Sequence, residues 1–327
     1  MHVDIDTLVR QLGERLQAEE GLRPYLLIDP MLQEPLTEEL LRFEECTTTT
    51  IPIERPGLSQ EHKPRLIAWR PQAVGVLRAS LMAALGEQAD PAREASRGFA
   101  VGGWLQSAEP ANVITRHLAR QMWVARPQVG RVYLRLVDRR VFEWMWALLD
   151  EEQKATLLGP IAAWWTLDRC GNLVEHLSSR HAEGLQNGYN HSALTRDQWT
   201  SVDRCDLVQH LLRGWQRLAR ALPQNYLEFT AGALDGAQAL GLESPQDLAL
   251  MSAYVLQVHP RLCQHPQVSA LVTGFKRNQG ELSEALSSIP DPDGWDKIRQ
   301  DLEQQFSTLP ASQLSAIRAD TRSANPR

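Results

Sequence analysis

The side chains with the most evident chemical potential lie between His117 and Arg140. An imidazole at His117, guanidinium groups at Arg135 and Arg140, and a carboxyl at Asp138 could be combined into an acid–base pair with a cationic clamp. That arrangement would suit a hydrolase, and it stands as the alternative reading. The plainer reading is structural. Asp138 falls where a strand pattern becomes a helix pattern, so its carboxyl can accept the free amide of Arg140 or Val141. A guanidinium at Arg140, in a first helical turn, opposes the helix dipole, so a carboxylate or backbone carbonyl partner is predicted for it or for Arg135. Cys170, His176, His181, His191 and Cys205 come nearest to a metal cluster, but their spacings match no common zinc pattern. Glu151 and Glu152 sit in a first turn, where two acids favour the dipole. The chain has no Gly-rich phosphate loop, His-Glu-x-x-His pair or Gly-x-Ser-x-Gly elbow. No cofactor, metal or catalytic residue is expected.

The elements that would carry these residues follow an α/β pattern through residue 183. A first helix has Leu8, Val9, Leu12 and Leu16 on one face. Strand patterns appear at 24–29, 65–69, 99–105, 132–137, 161–167 and 173–176. Helix patterns appear at 71–86, from a cap at Ser107 with Pro110 near the start through Met122, at 139–149 and at 151–158. The polar stretch 87–96 reads as exposed, and 44–64 as a loop around a short extended piece. Adjacent Trp164 and Trp165 on a strand must face opposite sides, so the sheet needs a layer on each face. The expected architecture is a mixed sheet flanked by helices, over 1–183. A Gly/Asn-rich linker is expected at 184–192, an all-α lobe at 193–308 and a loose tail at 309–327. Within the helical lobe, Thr195 and Gln198 have capping-box spacing. Leu207, Val208, Leu211, Leu212, Trp215, Leu218 and Leu222 make one apolar face.

Bulk properties narrow the function. With 327 residues, 43% hydrophobic and 23% charged, the chain is ordinary globular protein of about two-domain length. A net charge of −6 argues against a surface built for nucleic acid or anionic lipid. The N-terminus does not read as a signal peptide, and no apolar run reaches the roughly 18 residues of a membrane span. Four scattered cysteines without a Cys-x-x-Cys pair fit a reducing compartment, so the cytoplasm is expected. Most of the ten tryptophans are core by default. Exposed ones, with Trp199 and Trp215 as candidates, would suit a protein-binding surface.

Several of these motifs occur together in an order that resembles a known family. His117-Leu118-Ala119-Arg120 on a helix, Arg135-Leu136-Val137-Asp138-Arg139-Arg140 at a strand-to-helix turn, and Gly159-Pro160-Ile161 after the next helix are similar to the signature of the type VI secretion adaptors. These are the Tap/Tec effector chaperones of Gram-negative bacteria, the class of domain of unknown function 4123. The similarity covers most of residues 22–165. Arg139 stands where the family usually has proline, a departure expected to cost about 0.4–1 kcal/mol and to leave the fold intact. The resemblance implies a non-catalytic adaptor that binds a toxic effector and helps load it onto the VgrG spike. It also implies effector contact through the helical lobe, where Trp199, Trp215, Arg213 and Arg217 are candidates. A structural component of the secretion apparatus is a further alternative.

Overall fold

The computed structural model describes residues 4–30, 34–70, 72–177, 193–218, 221–278 and 280–307. The chain divides into two compact units, Met1–Cys205 and Asp206–Arg327. The expected linker 184–192 and tail 309–327 lie outside the described residues, as do His181, His191 and Pro71.

The first unit runs α1 (Ile5–Gln17), β1 (Arg23–Ile28), α2 (Glu38–Phe43), β2 (Thr47–Thr50), β3 (Arg65–Ala68), α3 (Val74–Ala89), α4 (Pro91–Arg97) and β4 (Val101–Ser107). It continues with α5 (Ala111–Met122), β5 (Trp123–Arg126), β6 (Gly130–Tyr133), α6 (Arg139–Leu148), α7 (Glu151–Leu158), β7 (Ala163–Leu167), β8 (Leu173–His176) and α8 (Arg196–Asp203). Six strands form one sheet in the order β2-β3-β1-β4-β7-β8, and β5 and β6 form a separate hairpin. Every pairing is antiparallel. A mixed sheet was expected, but alternation of side chains reports which face a residue takes and not which way its strand runs.

Both faces of the sheet are covered, as the Trp164-Trp165 pair requires. Tyr25, Leu27, Leu66, Leu105 and Trp164 pack with α5, α6 and α7 on one face. Leu26, Ile28, Ile67, Trp104 and Trp165 pack with α1 and α3 on the other. Trp104 lies opposite Trp165 across β4 and β7, and Leu105 opposite Trp164, so each tryptophan joins a different core. Phe142 of α6 stacks on Trp164 with ring centroids 4.1 Å apart, fixing that helix over the sheet.

Two stretches depart from expectation. The segment expected as a strand at 132–137 splits: Gly130–Tyr133 pairs with Trp123–Arg126, and the chain then turns at Asp138 into α6. Residues 87–96, expected to be exposed, instead hold the end of α3 and most of α4, which is capped by Asp90 with Pro91 in its first turn. Glu87 of α3 and Glu94 of α4 are buried, each paired with an arginine distant in sequence.

The second unit is entirely helical among its described residues. Its α-helices are α9 (Cys205–Leu218, starting at the last residue of the first unit), α10 (Tyr226–Ala239), α11 (Pro245–Gln257), α12 (Pro266–Asn278), α13 (Leu282–Ser287) and α14 (Asp293–Ser307). Helix α8, expected in the helical lobe, groups instead with the first unit. The reason is Trp199, which is buried in the α5–α6 core.

Candidate functional site

The strand-to-helix turn at Asp138 is the hub of a buried ionic network. Asp138 caps α6, its Oδ1 accepting the Arg140 amide at 3.1 Å. The same carboxylate accepts from Arg140 Nε at 2.9 Å and from Arg140 Nη2 at 2.7 Å. Arg135 donates from Nε to Asp29 Oδ2 at 2.6 Å. Arg140 also donates from Nη1 to the Glu94 carbonyl at 3.0 Å. Both guanidinium groups therefore have the partners that their position demanded. Arg169 grips Glu94 with two nitrogens, at 2.7 and 3.3 Å.

Arg139 extends the network through the helices. Its Nη2 donates to Glu87 Oε2 at 3.0 Å and to the Ala84 carbonyl at 2.9 Å, while Nη1 reaches Gln88 Oε1 at 2.8 Å. Glu87 Oε1 in turn accepts the amides of Ala100 and Val101 where β4 begins. Arg139 is thus 2% exposed and ties α3, α6 and β4 together. Its side chain is therefore a buried strut of the first unit, a role that the sequence reading did not assign to it.

Four arginines (135, 139, 140 and 169) meet four acids (29, 87, 94 and 138), and the balance has electrostatic consequences. Burial raises the Asp138 carboxyl, but the bonds and charge of Arg140, with Arg135 behind it, outweigh that and hold it below its ordinary value. At neutral pH Asp138 is a fully engaged carboxylate, without a proton to donate. Burial pushes Glu87 up, with Arg139 opposing the shift. Glu143 is pushed up to about 8 by burial, Arg169 and Arg139 opposing. Gly98, at φ +70°, lets the backbone pass this cluster; a Cβ there would lie 2.6 Å from Arg140 Nη2 and 2.7 Å from Asp138 Oδ2.

His117 belongs to a different piece of structure. Its Nε2 lies 2.8 Å from the Leu157 carbonyl, and a carbonyl can only accept, so the ring proton sits on Nε2. Burial draws its pKa down to about 4, leaving a neutral imidazole. Gly159 ends α7 with φ +52°, and a Cβ there would come within 2.3 Å of the ring. Ser107 Oγ donates to the Pro160 carbonyl at 2.6 Å. His117, Gly159 and Pro160 therefore lock α5 and β4 to the end of α7. Arg135 bonds to Asp29, just after β1, and Asp138 takes its donors from Arg135, Phe99 and Arg140, so the structure does not assemble the imagined acid–base site from these hydrogen bonds. Arg120 stands apart: it is exposed, with no ion pair or hydrogen bond to a described residue.

Of the surface candidates, Trp199 is 5% exposed and lies under Arg126, whose guanidinium carbon is 4.9 Å from its ring. Arg126 is held there by a two-point pair with Asp203 at 2.7 Å. Trp199 is core, not docking surface, since α8 is pinned by its own capping box and by Gln198 bonded to Gln153 and the Leu148 carbonyl.

Trp215 is half-buried and does line a groove, between α9 and α11 of the second unit. The groove has a volume of about 430 Å³ and is walled by Leu211, Trp215 and Leu218 facing Leu250, Ala253 and Leu256. Leu218 is 68% exposed at its rim, and Trp215 is propped edge-on against Phe229 of α10. Arg213 and Arg217 are on α9 but are not among the groove's walls. Leu250, Ala253 and Leu256 were missed in the sequence. Their signal was available: Leu250 and Leu256 fall off the buried stripe of Leu248, Met251 and Val255, so α11 is apolar on more than its core face.

Among the described residues no three His, Cys, Asp or Glu side chains converge as a metal site, and no helix is long and apolar enough to cross a membrane. Residues 24–156 match the family described as Domain of unknown function (DUF4123), the stretch that contains β1, the ionic network and His117. No curated protein and no solved structure matches the chain.

Proposed function

We propose that this protein is a cytoplasmic adaptor of type VI secretion, which binds one toxin effector and helps load it onto the VgrG spike. The α9–α11 groove is the observation that carries this reading. An apolar trough with an aromatic wall and an exposed leucine at its rim suits the hydrophobic face of an amphipathic helix. The order of the His117, Asp138 and Gly159 motifs, which resembles that of the type VI secretion adaptors, supports the same reading, while the family matched over residues 24–156 has a description that gives no function. In this account the signature arginines and acids hold the first unit together, and the second unit meets the effector.

The test is co-expression with the toxin effector that this reading expects to be encoded beside this gene. The expected result is a soluble one-to-one complex by size exclusion with light scattering, and an effector that is poorly secreted when the adaptor gene is deleted. A toxin that stays uncomplexed, or normal secretion from the deleted strain, would overturn the proposal.

A further inference from the structure

Arg120 is the signature residue that internal bonding leaves over. It lines a cleft of about 440 Å³ in the first unit, together with Pro52, Glu54, Trp123, Ala125 and Arg131. Both arginines are exposed, and neither has a carboxylate within salt-bridge distance among the described residues. Arg131 makes one long contact, 3.5 Å from Nη1 to the Trp123 carbonyl.

The cleft also follows the edge of a strand. Trp123, Val124 and Ala125 are consecutive on β5, and all three line it. Neighbouring side chains on a strand point to opposite faces, so three in a row place the cleft along the backbone edge. The hydrogen-bond phase of the hairpin agrees. The Leu134 amide donates to the Met122 carbonyl at 2.8 Å, which makes Met122 and Leu134 a bonded pair. By alternation, Val124 bonds Val132, and the amides and carbonyls of Trp123 and Ala125 point away from β6. The Trp123 amide is used by the Ala119 carbonyl at the end of α5. Ala125 sits directly opposite Arg131, and β5 has no strand on its outer side among the described residues.

We infer that this cleft takes an extended, acidic peptide segment of a protein partner, which pairs with the outer edge of β5 at Ala125 and sets carboxylates on Arg120 and Arg131. Main-chain pairing would supply affinity, and the guanidinium groups, which match a carboxylate in two-point geometry, would supply selectivity. Glu54 in the same wall disfavours a ligand with charge at every residue, such as nucleic acid, and leaves room for alternating acidic and apolar side chains against Trp123 and Pro52. The inference stands whether or not the α9–α11 groove holds the effector.

Fluorescence anisotropy with three labelled probes tests it: a hexapeptide alternating glutamate and valine, its lysine–valine counterpart, and an oligothymidylate. The full chain should bind the glutamate peptide in preference to both others, more weakly as salt rises. R120E/R131E should lose at least about tenfold in affinity while melting like the parent protein. A125P, which removes the outward amide, should weaken binding too, and L218D in the other unit should leave it unchanged. Undetectable binding of the glutamate peptide, undiminished binding by R120E/R131E, loss in L218D, or preference for the oligothymidylate would each overturn the inference.

Discussion

Arg139→Met removes the cation that pairs with Glu87 in a buried site. Arg139 and Glu87 are 2% and 1% exposed, and their contact is 3.0 Å. With Met at 139, Glu87 keeps the amides of Ala100 and Val101 but loses its one cationic hydrogen-bond partner among the described residues, while the Ala84 carbonyl and Gln88 each lose a donor. Removing one partner of a buried pair costs about 3–5 kcal/mol, well above the roughly 0.4–1 kcal/mol of an isolated proline effect. The pH dependence has a defined sign. Glu87 is already raised above its ordinary 4.5 by burial and rises further without Arg139, so the folded state holds a proton that the unfolded state releases. The variant therefore loses stability as pH climbs through and above 4.5, and its deficit is larger at pH 8 than at pH 5. The double variant E87Q/R139M keeps an acceptor for the two amides and buries no lone charge, so it should recover most of the loss. Urea unfolding followed by tryptophan fluorescence, at both pH values, measures all of this. A deficit below about 1 kcal/mol for R139M, or no recovery in the double variant, would refute the assignment of Arg139 as a strut.

Gly159→Ala should cost about 2–4 kcal/mol, from left-handed backbone strain plus displacement of His117 from the Leu157 carbonyl; a change below about 0.5 kcal/mol would contradict that packing. His117 is neutral when folded, with its pKa drawn from 6.5 to about 4. Its contribution is therefore complete above pH 6.5 and is lost as pH falls toward 4, by roughly 3 kcal/mol at most. His117→Gln should flatten that part of the stability–pH curve, and parallel curves for the two proteins would argue against it. Trp199→Ala should destabilise the first unit by about 3–5 kcal/mol as a core truncation, while effector affinity of the folded fraction stays within about twofold.

The sequence made the local grammar of the first unit legible. Asp138 as a cap, Gly159 as a helix stop, and Trp164 and Trp165 on opposite faces are all set by residues a few positions apart. What it concealed depends on contacts between distant segments. Glu87 and Glu94 look like solvated acids until Arg139 and Arg169 arrive, 52 and 75 positions away. Trp199 looked available because its burial depends on α5 and α6, not on its neighbours in α8. The groove was half legible for the same reason: the apolar face of α9 is explicit, whereas its pairing with the second apolar stripe of α11 is a tertiary fact.

The central claim is that the α9–α11 groove is where an effector docks, and one comparison tests it most directly. The affinity of the purified toxin for L218D/L250D, measured by isothermal titration beside the parent protein, should fall at least about thirtyfold, as expected when a carboxylate enters an apolar anchor site. Leu218 is 68% exposed and Leu250 half-buried, so the variant should keep its helical circular dichroism. An unchanged affinity in a variant that remains folded would contradict the account.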